Sequence, residues 1–242
     1  TLAIALVVVA AGVCAAQDVG VVAPGAEVKK LAGDFQFTEG PAADAKGDIY
    51  FTDIPDNRIL KWSVEAGQLS TFRESSNGAN GLYFDKAGNL LACEGKADAG
   101  RLVSIAPDGT LTVLADEQEG KPFNSLNDLW IDPKGGVYFS DPRYGSRDNL
   151  PQDGEHVYYL TPDRAKVIRV ISDMVRPNGL IGTPDGKTLY VTDNGEDKTF
   201  AYAVNDDGTL ADKKLFAPEG SDGMSIDSRG NVYVAPYSTE DY

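Results

Sequence analysis

Histidine occurs once and cysteine twice in these 242 residues, and 22 Lys and Arg face 37 Asp and Glu. Two cysteines leave no material for a disulfide framework. One His and no Gly-x-Ser-x-Gly motif argue against a Ser–His hydrolase. The shortage of basic side chains gives a formal net charge of -15, which repels phosphate backbones and anionic lipid headgroups, so nucleic-acid and membrane-surface roles are excluded. Long apolar runs are also missing, apart from Leu2–Val13, which is too short to span a bilayer.

That run is followed by Cys14-Ala15-Ala16 and then polar Gln17-Asp18, the pattern of an export signal. Residues 1–16 are expected to be a signal peptide whose basic start precedes Thr1, cut after Ala16, with residues 17–242 forming the folded domain. The bulky Val13 argues against lipid attachment at Cys14. The protein is then expected to be secreted or periplasmic and free of the membrane after cleavage. Cys93 remains, inside the apolar run Leu90–Cys93, and reads as a small core residue rather than a nucleophile.

What is abundant is glycine, at 26 residues, within a composition that is 42% hydrophobic and 24% charged, enough for a packed core. The glycines mark an internal repeat. Five segments carry a polar residue followed, except at Asn127-Asp128, by Gly, then a turn Gly and a β-rich run: Glu39…Gly47-Asp48-Ile49-Tyr50, Asn80…Gly88-Asn89-Leu90, Asn127…Gly135-Gly136-Val137, Asn178…Gly186-Lys187-Thr188 and Asp222…Gly230-Asn231-Val232. The period of 41 to 51 residues is that of β-propeller blades. Further strand-like runs, such as Arg58–Trp62 and His156–Leu160, fill each interval, and no long helix is predicted. The fold class is therefore all-β, a propeller with about five blades in this chain. A ring of six would need roughly 50 further residues at that period, so the sequence reads as truncated at both ends.

In all five repeats the leading residue stands eight positions before the turn glycine. Equivalent positions of a propeller converge on its central channel, so Glu39, Asn80, Asn127, Asn178 and Asp222 are expected to meet. The competing reading is that Asn-Gly and Asp-Gly are hairpin turns, as at Asn77-Gly78, Asp153-Gly154, Asn194-Gly195 and Asp207-Gly208. A turn needs neither the Glu at position 39 nor a fixed spacing, which favours convergence. Two carboxylates with neutral amide oxygens form a hard donor set that selects calcium first, magnesium or manganese next, and zinc less naturally.

The segments Phe37-Thr38-Glu39-Gly40-Pro41, Leu126-Asn127-Asp128, Arg176-Pro177-Asn178-Gly179-Leu180 and Ser221-Asp222-Gly223-Met224 resemble the gluconolactonase/regucalcin family of six-bladed calcium-dependent β-propellers. The resemblance runs from about Glu39 to the end of the chain. It implies that Glu39, Asn127, Asn178 and Asp222 hold one divalent cation, that Asp222 is also the general base, and that the substrate is a small sugar lactone. Asn80, outside the family's usual four, is expected to contact substrate or lie just behind the ligands. Ser125 stands where regucalcin-type members have an Arg, so substrate specificity does not carry over. Arg143 and Tyr144, in the loop after the third β-rich run, are candidate substrate contacts. His156 opens a strand-like run and reads as uninvolved, and Asn205-Asp206-Asp207-Gly208 reads as a hairpin turn rather than a calcium loop, since the closing Glu is missing. The alternative from another class is a non-catalytic exported propeller that binds a ligand or protein and uses calcium structurally.

Overall fold

Each repeat folds around the same short turn. Asp44 accepts the backbone N–H groups of Lys46 at 2.9 Å and Asp48 at 3.0 Å, and Gly47 supplies a φ of 84° that side-chain-bearing residues rarely adopt. Asp85, Asp132 and Asp227 hold the N–H groups two and four residues on in the same way. In the fourth repeat Thr183 and Asp185 share this task. The turn pins one strand to the next, which is why the leading polar residue keeps its distance from the glycine.

The computed structural model describes residues 23 and 25–235. The expected signal peptide, including Cys14 and the cut after Ala16, lies outside the described residues. The chain divides into the units Thr1–Gly33 and Asp34–Tyr242, and every described strand belongs to the second. No helix occurs among the described residues.

Four antiparallel sheets each run through four consecutive strands. The first comprises Thr38–Ala43, Ile49–Asp53, Arg58–Ser63 and Gln68–Glu74. The second, third and fourth begin at Ala79–Phe84, Leu129–Ile131 and Pro177–Gly182, and a two-stranded sheet, Gly223–Ile226 with Val232–Ala235, follows. The leading strands of successive sheets lie against one another, so the sheets are the blades of a β-propeller and these are its inner strands. Asn205–Thr209 closes a hairpin between Lys198–Val204 and Leu210–Ala217.

The core is divided among the seams between blades. Tyr50 and Ile59 pack on Leu82, Leu90 and Val103; Leu91 and Leu102 pack on Phe123, Leu129 and Phe139; Trp130 and Tyr138 pack on Leu180, Leu189 and Val191. Each such fully buried side chain contributes on the order of 1.5–3 kcal/mol.

Polar staples cross the same seams. Thr52, Cys93, Ser140 and Thr192 occupy the next-to-last position of their blades' second strands and are completely buried. Thr52 Oγ1 donates to Asn80 O at 3.2 Å, Cys93 Sγ to Asp128 O at 3.5 Å and Thr192 Oγ1 to Ser221 O at 2.7 Å, each in the next blade. Ser140 instead accepts the Asp128 N–H at 3.1 Å within its own blade. Cys93 is thus a buried thiol in a place where the other blades use hydroxyls, and burial pushes its thiol well up.

Candidate functional site

The leading residues owe their placement to the loops that precede them. Asp53, Asp141 and Asp193 end the second strands of their blades and are at most 1% exposed. Asp53 accepts the N–H groups of Gln36 and Phe37 at 3.1 Å. Asp141 accepts those of Asn124 at 2.9 Å and Ser125 at 2.7 Å, and Asp193 those of Val175 at 2.9 Å and Arg176 at 2.8 Å. In each case the anchored residues stand three and two positions before Glu39, Asn127 or Asn178. The second blade has Glu94 at this position, ion-paired with Arg73 and Arg101, and Asn57 Oδ1 holds the Gly78 N–H at 2.8 Å.

In three of the blades a bulge then turns the strand at the site residue. The inner strands carry one extra residue between the pairs Glu39–Thr52 and Ala42–Tyr50, Ala79–Glu94 and Leu82–Ala92, and Pro177–Asp193 and Leu180–Val191. Bulges re-aim side chains in this way beside active sites. The glycine after the site residue lets the next blade approach: a Cβ on Gly40 would lie 2.2 Å from Asn80 O, and one on Gly179 2.7 Å from Asp222 O. The Asn-Gly pairs at Asn80 and Asn178 therefore lie within strands and serve close blade approach, whereas Asp207-Gly208 is the turn it resembles.

Glu39, Asn80, Asn127 and Asp222 line one cavity of about 920 Å³. Asn178, 1% exposed, joins them by donating from Nδ2 to Asp222 Oδ1 at 2.8 Å. Burial, then the Asp222 carboxylate, pushes Glu39 up to about 8, with Asp128 adding to the effect. Like charges without a cation between them raise carboxyl pKa values in this way. No arrangement of three or more His, Cys, Asp or Glu suited to a metal occurs among the described residues, so the candidate donor set depends on amide oxygens for half its members. The donor chemistry fits a hard divalent cation: the Glu39 and Asp222 carboxylates, whose like charges act on one another, beside the neutral amide oxygens of Asn127 and Asn178.

Asp128 stands out in the sequence as the break in the Gly pattern and within the Leu126-Asn127-Asp128 segment, but with no role of its own. Its carboxylate lines the cavity, accepts the N–H groups of Leu129 at 2.9 Å and Leu180 at 3.1 Å, and is pushed up to about 6 by burial against those bonds. It thereby ties the third blade to the fourth where the other repeats use glycine.

The remaining sequence candidates divide. Tyr144 reaches the site, its hydroxyl accepting from Asn178 Nδ2 at 2.5 Å. Arg143 is buried, and its guanidinium is taken by Asp98 and by Asn124 O at 2.9 Å, so it braces the loop at Asn124 and is absent from the cavity lining. His156 is buried at the start of its strand and bonded to Asp153 at 3.0 Å, away from the cavity lining.

Residues 37–241 match the SMP-30/gluconolactonase/LRE-like region. A gluconolactonase of Zymomonas mobilis is 29% identical over 86% of this chain and 67% of its own length, and a lactonase of Staphylococcus haemolyticus is 29% identical over 82% of this chain and 63% of its own. The chain thus spans roughly two thirds of the curated relatives it matches. The structure of a gluconolactonase from Xanthomonas campestris superposes with a TM-score of 0.76 at 30% identity, covering 84% of this chain and 71% of that one.

Proposed function

The chain belongs to the SMP-30/gluconolactonase/LRE-like family, and from this we propose that it hydrolyses a small sugar lactone in the cavity ringed by Glu39, Asn80, Asn127 and Asp222. The observation that carries the reading is the convergence of the leading side chains of four blades on that cavity, with Asn178 of the remaining blade bonded to Asp222, in a chain whose relatives include gluconolactonases and a lactonase.

Glu39, Asn127, Asn178 and Asp222 would hold one divalent cation, calcium by preference. When bound, such an ion supplies the positive charge that polarises a carbonyl and offsets charge developing on its oxygen. Asp222 takes the proton of the attacking water as the water oxygen bonds to the lactone carbonyl carbon. That proton passes to the ring oxygen as the ring C–O bond breaks, which leaves a hydroxy acid and a regenerated carboxylate. Asn178 steadies Asp222 through its 2.8 Å bond, and Asn80 offers an amide to the substrate's hydroxyls. The export pattern of residues 1–16 supports action in the periplasm or outside the cell.

The test is hydrolysis of glucono-1,5-lactone and a panel of small lactones before and after EDTA, with calcium added back. Activity lost and then restored is the expected result. No turnover in any condition, with calcium still raising the melting temperature, would favour the non-catalytic propeller with a structural ion.

A further inference from the structure

We infer that Tyr144 is a positioning residue whose hydroxyl fixes the side-chain amide of Asn178, so that Oδ1 rather than Nδ2 is the atom left for a partner in the cavity. The inference rests on the reading of that cavity as a divalent-cation site.

An Asn amide is nearly symmetrical in shape, and its neighbours decide which end faces where. The two protons of Asn178 Nδ2 have two acceptors, Tyr144 Oη at 2.5 Å and Asp222 Oδ1 at 2.8 Å. With both protons committed, Oδ1 is the unassigned end. A flipped amide would set Oδ1 against the Asp222 carboxylate, lone pair to lone pair, and would aim N–H groups at any cation.

Tyr144 is itself held from two sides. Asn194 Nδ2 donates to its hydroxyl at 3.3 Å, and the Arg176 guanidinium lies 5.1 Å from its ring centroid, within cation–π range. The loop after the third blade's second strand thus reaches a ligand of the fourth blade and, through it, Asp222 ahead of the fifth. This places Tyr144 behind Asn178 rather than against substrate.

Four proteins test this: wild type, Tyr144→Phe, Asn178→Asp and the double variant. Their calcium affinities are measured by calorimetry, and hydrogen exchange of the Asn178 side-chain amide by NMR in EDTA. Tyr144→Phe should weaken calcium binding about 10–100-fold, as loss of a ligand's supporting bond does. It should also speed exchange of the Asn178 amide protons. In the Asn178→Asp background, where an oxygen faces the cavity whichever way the group turns, Tyr144→Phe should cost nothing more. Equal calcium affinity in wild type and Tyr144→Phe, or the same loss in both backgrounds, would overturn the inference. A wild type that binds no divalent cation would instead overturn the function proposed above, and the amide exchange would still show whether Tyr144 holds Asn178.

Discussion

Asp193 accepts the backbone N–H of Arg176 at 2.8 Å, and in doing so sets the position of Asn178 two residues later. Asp53 and Asp141 do the same ahead of Glu39 and Asn127. The end of one strand in each of these blades therefore governs the start of the strand beside it.

Asp193→Ala removes the acceptor for the N–H groups of Val175, Arg176 and Gly195. A fully buried unsatisfied donor costs on the order of 1–3 kcal/mol, and these half-buried ones fall at the low end, so urea unfolding should show a loss of about 1–2 kcal/mol. A loss below about 0.5 kcal/mol, the range of ordinary surface changes, would mean that the loop is held by something else.

Glu39 binds a proton up to about pH 8 in the cation-free protein, above its ordinary value. The folded state therefore holds a proton that the unfolded chain has released, and this group's contribution to stability falls as pH rises from about 4.5 to about 8. Cation binding must expel that proton. Calorimetry in two buffers of different ionisation enthalpy should report release of about one proton per calcium near pH 6.5, fading towards pH 9. No buffer dependence at pH 6.5 would overturn either the raised pKa of Glu39 or its place among the ligands.

Asp222→Asn keeps an oxygen for a cation but cannot take a proton from water. Lactone turnover should fall about 10²–10⁴-fold, with calcium binding weakened yet measurable. Turnover close to wild type would remove Asp222 from the role of base.

Gly40→Ala and Gly47→Ala separate close approach from turn geometry. Both glycines have positive φ, but a Cβ at Gly47 meets open space and one at Gly40 lies 2.2 Å from Asn80 O. Gly47→Ala should cost about 1–2 kcal/mol for the left-handed backbone alone. Gly40→Ala should cost clearly more and should also weaken calcium binding, because Glu39 moves with the seam. Equal costs would mean that the seam yields freely.

Cys93 is fully buried in a position that Thr52, Ser140 and Thr192 fill in the other blades. A thiol reagent should label it only after unfolding, and Cys93→Ser should fold and keep the staple to Asp128 O. Rapid labelling of Cys93 in the native protein would contradict that burial.

Much of the fold was legible in the sequence because the repeat couples a turn glycine to a polar residue at fixed spacing, and both are local features. The five leading residues could be picked out for the same reason. The support behind them could not. Asp53, Asp141 and Asp193 are visible as strand-end residues, but nothing local shows that they reach back to loops 16 to 18 residues earlier. The bond from Asn178 to Tyr144 joins residues 34 apart, across two blades. Arg143 and Tyr144 are neighbours in sequence and looked alike as loop residues, yet the loop sends one inward to Asn124 and the other to Asn178.

The cavity draws single side chains from separate blades, and Glu39, Asn127 and Asn178 each follow a loop held by the carboxylate that ends their own blade's second strand. Altering one blade's contribution leaves the mounts of the others in place. Replacing Asn80 with a carboxylate, for instance, would change the charge facing a ligand without touching the hydrogen bonds that hold Glu39, Asn127 or Asn178. Such a ring separates the question of which ligand is bound from the question of whether the protein folds, and leaves each open to change on its own.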